Sequence, residues 1–124
     1  MTSITLEKLK KALTSLETGF KPNPNELERD GLIQRFEFCV ELSWKSAKKI
    51  LSLNSIESDT PKNVFRELAQ LGWIDNPDLW IEFLAQRNKA SHIYNEEIAL
   101  EVFNIIPSFI LESKKLLETL ESKK

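Results

Sequence analysis

The chain has 124 residues, of which 41% are hydrophobic and 29% are charged, and its formal net charge is −2. These values are typical of a soluble globular domain, and the acidic balance argues against a protein coated in basic residues for wrapping duplex nucleic acid, although a small anion site is compatible with it. With one cysteine, no signal region and no apolar run of membrane-spanning length, the sequence predicts a single cytoplasmic domain over residues 1–124, without a membrane.

The first two predicted helices differ in length. Leucines at helical spacing predict a helix over residues 3–18, and a second, longer helix with one broad apolar face is predicted over residues 26–53. Phe38 and Leu42 point away from that face and lie beside Arg35. Scattered surface hydrophobes are normal, but two large ones flanked by charges suggest contact with another chain. We therefore expect Arg35, Phe38 and Leu42 to form a dimer or partner interface.

Three further apolar patterns follow, each with a start signal. Thr60 and Asn76 are capping residues followed by proline, which predicts the starts of the third and fourth helices. The third helix is expected to end at Gly72. Asn95, followed by two glutamates, starts a fifth helix with a kink expected at Pro107. Because no strand alternation competes, the sequence predicts an all-α, up-and-down bundle of about five helices.

Residues 87–94, here called the 87–94 segment, hold the only histidine and the only tyrosine of the chain. If the fourth helix continues through the segment, Arg87 lies on its core-facing stripe. Desolvating a guanidinium there is costly unless a carboxylate or a ligand anion pairs with it. If the helix instead stops early, His92 and Tyr94 lie in a junction before the fifth helix. The histidine would then be free to face Arg87.

The residue types in this segment suit phosphate chemistry. Arginine offers a planar fork of hydrogen-bond donors for a phosphate, which is the role considered for Arg87. Histidine can accept or donate a proton near neutral pH, which is the role considered for His92. Asn88 and Ser91 could orient the imidazole or a phosphate oxygen, and the Tyr94 hydroxyl could bind a phosphate or become modified. Spacing alone favours a structural alternative, in which Arg87 pairs with a carboxylate and His92 is a helix-end hydrogen bonder.

Several other residues are candidates for structural roles. The conceivable carboxylate partners of Arg87 lie on the second helix and at the start of the fifth: Glu37, Glu41, Glu96, Glu97 and Glu101. One cysteine and three tryptophans are expected to be packing residues: Cys39, Trp44, Trp73 and Trp80. No cysteine or histidine cluster predicts a metal site, and no glycine-rich loop could cradle a nucleotide.

The spacing Arg87-x4-His92-x-Tyr94 resembles the R-x4-H-x-Y motif of HEPN-domain proteins. The wider text of residues 87–97 looks like the nucleotidyltransferase substrate-binding branch of that superfamily. Two further stretches agree with this branch: Arg29 to Phe38 with Glu41-Leu42-Ser43-Trp44-Lys45, and Thr60-Pro61 with Phe65-Arg66-Glu67 and Gly72-Trp73-Ile74. The resemblance covers nearly the whole chain.

The resemblance implies a dimeric helical bundle encoded beside a minimal nucleotidyltransferase, often as a type VII-like toxin–antitoxin pair. In such pairs the HEPN partner is a metal-independent ribonuclease, whose catalytic residues match Arg87 and His92 here. The nucleotidyltransferase neutralises it by transferring AMP to the motif tyrosine, which matches Tyr94. ATP and magnesium would then belong to the nucleotidyltransferase and not to this chain. An alternative within the family is a non-catalytic subunit that presents substrate to the nucleotidyltransferase.

Metal-free cleavage of RNA sets a further requirement. One group must activate the 2′-hydroxyl and another must protonate the leaving oxygen, whereas each chain has one histidine. A two-fold dimer could bring two copies of the 87–94 segment together. The sequence therefore leaves three hypotheses: a dimeric ribonuclease toxin, a substrate-presenting subunit, and a plain dimeric scaffold in which Arg87 is held in an ion pair.

Overall fold

The computed structural model of the chain describes the backbone of residues 2–124 and the side chains from Leu6 onward. It contains five α-helices and one 3₁₀ turn: α1 Thr2–Gly19, α2 Glu26–Leu53, α3 Pro61–Gln70, α4 Pro77–Lys89, the turn Ala90–His92, and α5 Glu96–Lys123. Every consecutive pair of helices is in contact, and no strand occurs among these residues. The predicted all-α, up-and-down bundle is confirmed.

The predicted helix starts are set by side-chain caps. Each of the last four α-helices follows a residue whose side-chain oxygen accepts a hydrogen bond from a backbone N–H of the first turn: Asn25, Thr60, Asn76 and Asn95. Asn25 also forms a capping box with Glu28. The third helix ends at Gln70, two residues before the expected stop, and Gly72 then adopts a left-handed φ of 75°. The fifth helix continues through Pro107.

The arrangement of the helices places α2 at the centre of the bundle. It packs against α1, α3, α4 and α5, and α1 also packs along α5. The α3–α4 hairpin covers the remaining side, with α4 contacting both α2 and α5. Because α4 leads directly into the 87–94 segment, that segment is anchored between the two longest helices. In the described part of the chain, no helix combines the length and apolar character needed to cross a bilayer.

An aromatic cluster fills the core where α3, α4 and α5 meet. Trp80 stacks on Phe65 with ring centroids 4.7 Å apart, and it meets Phe83 and Phe109 edge-on at 5.1 and 5.9 Å. Cys39 is also fully buried, and burial raises the pKa of its thiol to about 12. Trp80 and Cys39 are thus packing residues, as predicted.

The burial of the other residues predicted to pack or to face solvent agrees only in part with the predictions. Trp44 and Trp73 are half-buried, and Trp73 carries the Lys123 ammonium 5.4 Å from its ring centre. Phe38 is 58% exposed, in agreement with its predicted outward position. The prediction for Leu42 is wrong in part, because Leu42 is half-buried and packs against the core. Its burial follows from the four helices that surround α2.

Candidate functional site

The 87–94 segment begins as the last turn of α4 and ends as an irregular junction. Helix α4 stops at Lys89, and the chain tightens into the 3₁₀ turn Ala90–His92. Asn95 then caps α5. The second of the two sequence-based alternatives is therefore correct: His92 and Tyr94 lie in the junction between the helices.

Arg87 is held by a carboxylate from the neighbouring helix. Its guanidinium forms an ion pair with Glu41 of α2, one of the partners considered from the sequence. The Trp44 indole N–H donates to the second oxygen of Glu41 over 3.2 Å, and the Lys45 ammonium lies 3.6 Å from that oxygen. Glu41 therefore fixes the direction of the guanidinium. The Arg87 side chain is 25% exposed and borders an open pocket, whereas its Nε atom is buried and has no hydrogen-bond partner among the described residues.

The acidic residues at the start of α5 do not pair with Arg87. Glu96 accepts a hydrogen bond from Arg29 over 2.7 Å, and this contact raises the pKa of the Arg29 guanidinium. Glu101 pairs with Lys89, which lowers the pKa of the Glu101 carboxyl and raises that of the Lys89 ammonium. The sequence-based suggestion that these glutamates neutralise Arg87 is wrong. They instead join α5 to α2 and to the end of α4.

Arg29 is the residue that the sequence reasoning missed. Its side chain is buried, and it bonds to Asp30 as well as to Glu96. The sequence could have identified Arg29 as a charge on the core face, because it lies seven residues before the buried Phe36 and therefore on the same face of α2. A charge on the core face needs a partner, and that partner is Glu96, the first residue of α5.

His92 and Tyr94 form the exposed half of the segment. The His92 Nδ1 atom lies 3.2 Å from the Tyr94 hydroxyl oxygen, and the two rings meet edge-on. Tyr94 is 85% exposed. Within residues 2–124, no hydrogen bond joins His92 to Arg87: the recorded partner of His92 is Tyr94, and that of Arg87 is Glu41.

The two predicted supporting residues differ from each other in their contacts. The Ser91 hydroxyl donates to the backbone carbonyl of Asn88 over 3.2 Å, which ties it to the helix end and not to the imidazole. Asn88 is exposed, and its side chain borders the same open pocket as Arg87. Of the two residues, Asn88 is the one whose side chain is free to meet a ligand.

Comparison with known proteins identifies the family. Residues 4–122 match the family described as nucleotidyltransferase substrate binding protein like. The chain belongs to this family. It is 37% identical over 98 residues to a Haemophilus influenzae protein named probable ribonuclease HepT, and the match covers 75% of this chain and 67% of that protein. The resemblance drawn from the Arg87-x4-His92-x-Tyr94 motif is confirmed at the level of the family.

Two solved structures share the fold of this chain. A Thermus thermophilus crystal structure has a TM-score of 0.86 and 30% identity, and the match covers 90% of this chain and 98% of that one. A Haemophilus influenzae structure has a TM-score of 0.81 and 32% identity, and the match covers 94% of this chain and 98% of that one. Its description states that it reveals the fold of a substrate-binding domain of a nucleotidyltransferase.

The residues of the predicted interface lie on the α1–α2 side of the bundle. Arg35 donates to the backbone carbonyl of Ser15 over 3.1 Å, which holds it across α1. Arg35 and the exposed Phe38 border a shallow open pocket of about 330 Å³, together with Lys8 and Lys11. An exposed phenylalanine within a basic surface is available to a second chain. Leu42 contributes less, because it is half-buried.

Proposed function

We propose that this protein is the toxin of a type VII-like toxin–antitoxin pair, a metal-independent endoribonuclease that acts in the cytoplasm with a minimal nucleotidyltransferase as its partner. The observation that carries the proposal is the 87–94 segment itself, in which an exposed His92 follows an Arg87 that Glu41 holds in a fixed direction. The Haemophilus influenzae relative named probable ribonuclease HepT supports the activity.

The proposed reaction uses His92 and Arg87 in different roles. The 2′-oxygen of a ribose attacks the adjacent phosphorus as its proton is removed, and the bond from phosphorus to the 5′-oxygen breaks as that oxygen gains a proton. His92 would carry one of these proton transfers. Arg87 would stabilise the negative charge that builds up on the phosphate oxygens. Asn88 would orient the phosphate.

The second proton transfer requires a second imidazole, so we place the active site across a two-fold dimer. The proposed contact is the α1–α2 surface that carries Arg35, Phe38 and Leu42. Phe38→Glu should put a charge into that contact and convert the dimer to a monomer in sedimentation velocity. Leu111→Glu is the matched control, because Leu111 on α5 is also 58% exposed. A dimer mass for Phe38→Glu would remove this surface from the account.

The ribonuclease proposal is tested by expressing the protein alone in bacteria. Wild-type protein should slow growth and degrade bulk RNA, and His92→Ala should do neither, because His92 carries a proton in the reaction. Western blotting checks that both proteins accumulate equally. Equal growth with intact RNA in both cultures would contradict the toxin proposal.

Tyr94 is the proposed point of control. Its oxygen would attack the α-phosphorus of ATP bound by the nucleotidyltransferase, releasing pyrophosphate and the phenolic proton. The resulting phosphodiester would put a negative charge where the hydroxyl now lies, 3.2 Å from His92, and would obstruct an RNA phosphate. Incubation with the partner, ATP and magnesium should add one AMP group to the Tyr94 peptide by mass spectrometry. Tyr94→Phe is the control, and an unmodified wild-type peptide would exclude Tyr94.

The second candidate function is a non-catalytic subunit that presents substrate to the nucleotidyltransferase. It is favoured by the related Haemophilus influenzae structure described as a substrate-binding domain of a nucleotidyltransferase. In that case the wild type should leave RNA intact, and the nucleotidyltransferase should modify its substrate faster when this protein is present. The growth experiment and that activity assay therefore separate the two candidates.

A further inference from the structure

An open pocket of about 370 Å³ lies between the start of α3 and the end of α4. Three of its lining side chains are cationic, namely Lys62, Arg66 and Arg87, and none is acidic. The chain as a whole has a net charge of −2, so a pocket with three cations and no carboxylate departs from the average of its surface. Such a pocket attracts an anion.

The cations that α3 contributes are not used by the fold. Among residues 2–124, neither Lys62 nor Arg66 forms an ion pair, and Arg66 donates only a long hydrogen bond to the Asn63 side-chain carbonyl, 3.4 Å away. Lys89, at the end of the facing helix, is in contrast paired with Glu101. The free cations that border the pocket are therefore Lys62 and Arg66, whereas Arg87 is paired with Glu41.

The side chains of Lys62 and Arg66 provide most of the attraction, because two of the first three positions of α3 offer no free N–H. Pro61 occupies the first helical position and has no N–H to offer. The Asn63 N–H is already bonded to the Thr60 hydroxyl over 3.3 Å. An anion in the pocket would thus depend on Lys62 and Arg66, and substitutions of these two exposed residues should leave the helix intact.

We propose that this pocket binds a backbone phosphate of the RNA strand next to the phosphate that is cleaved, an inference that rests on the proposed function. Arg87 borders the pocket, and Asn88, which also borders it, lies four residues before His92. A strand seated in the pocket would therefore continue toward the junction that carries His92. The lining contains no aromatic side chain on which a base could stack, which favours a strand phosphate over a nucleotide such as ATP.

The test compares Lys62→Gln/Arg66→Gln with Lys10→Gln/Lys115→Gln, which removes the same charge from positions on α1 and α5. Each pair is combined with His92→Ala, and binding of a single-stranded RNA is measured against salt. The pocket variant should bind the RNA about ten-fold more weakly than the control variant does. The slope of its log affinity against log salt concentration should be smaller in magnitude by about 0.7 for each phosphate that is no longer neutralised. Circular dichroism verifies the fold of each variant.

Further binding measurements distinguish an RNA phosphate from ATP and inorganic phosphate. They also distinguish failure of this inference from failure of the ribonuclease proposal. Binding of ATP and inorganic phosphate should be equally weak in both variants. Equal RNA affinity in both, or a loss confined to ATP, overturns the inference while wild-type RNA cleavage still supports the ribonuclease. Absence of RNA cleavage by the wild type overturns the ribonuclease proposal and this inference with it.

Discussion

Purified His92→Ala is expected to cleave RNA at least about 100-fold more slowly than the wild type, which corresponds to roughly 2.7 kcal/mol of lost transition-state stabilisation. The reason is that His92 is the only imidazole of the chain and would carry a proton in the reaction. The loss should appear in kcat and not in KM, because alanine leaves the proposed phosphate-binding arginines in place. Steady-state cleavage of a fluorescent RNA over a range of RNA concentrations measures both.

One further variant and one stability measurement make this result specific to the chemistry of the imidazole. Tyr94→Phe removes only the hydroxyl beside His92 and should keep most of the activity. The unfolding midpoint of His92→Ala should match the wild type, because His92 is exposed. A His92→Ala rate within about two-fold of the wild type would exclude proton transfer by this residue.

Arg87 is a less direct test of the same site. Arg87→Ala would remove a phosphate-binding group, but it would also leave the Glu41 oxygen that Arg87 contacts without its partner, while the other oxygen keeps Trp44 and Lys45. Loss of activity would then be combined with loss of stability. The structure of the segment therefore makes His92, and not Arg87, the residue whose substitution isolates the chemistry.

The fold was predictable because its signals are local. Capping residues and prolines fix the starts of α3 and α4, and the period of the apolar residues fixes the buried face of α2. The end of α4 was not predictable in the same way. Its last residue, Lys89, is followed by a 3₁₀ turn whose Ala90 is buried and whose geometry depends on packing between α2 and α5.

The sequence narrowed the possible ion-pair partners of the site residues but could not select among them. Five carboxylates were compatible with Arg87, and only the register of α4 against α2 selects Glu41. The positions of α5 along α2 and along α4 likewise bring Glu96 to Arg29 and Glu101 to Lys89. Such choices are tertiary, because they depend on how far one helix is shifted along another. Helical periodicity contains no information about that shift.

Trp80→Ala is expected to destabilise the protein by about 3–5 kcal/mol, the usual cost of deleting a large buried aromatic side chain. Trp80 is 1% exposed and contacts rings from α3, α4 and α5, so its removal leaves a cavity that three helices border. A domain of this size is stabilised by roughly 5–15 kcal/mol in total, so the variant should lie near its unfolding threshold. Urea denaturation followed by far-ultraviolet circular dichroism measures the difference.

Trp73→Ala is the matched control, because Trp73 is half-buried and carries the Lys123 ammonium on its ring. It should cost less than about 2 kcal/mol, because little of a cavity forms when one side of the ring already faces solvent. Equal losses for the two tryptophans would contradict the view that the aromatic cluster anchors α4. That anchoring matters for function, since α4 is the helix that sets the position of Arg87 and, beyond the 3₁₀ turn, of His92.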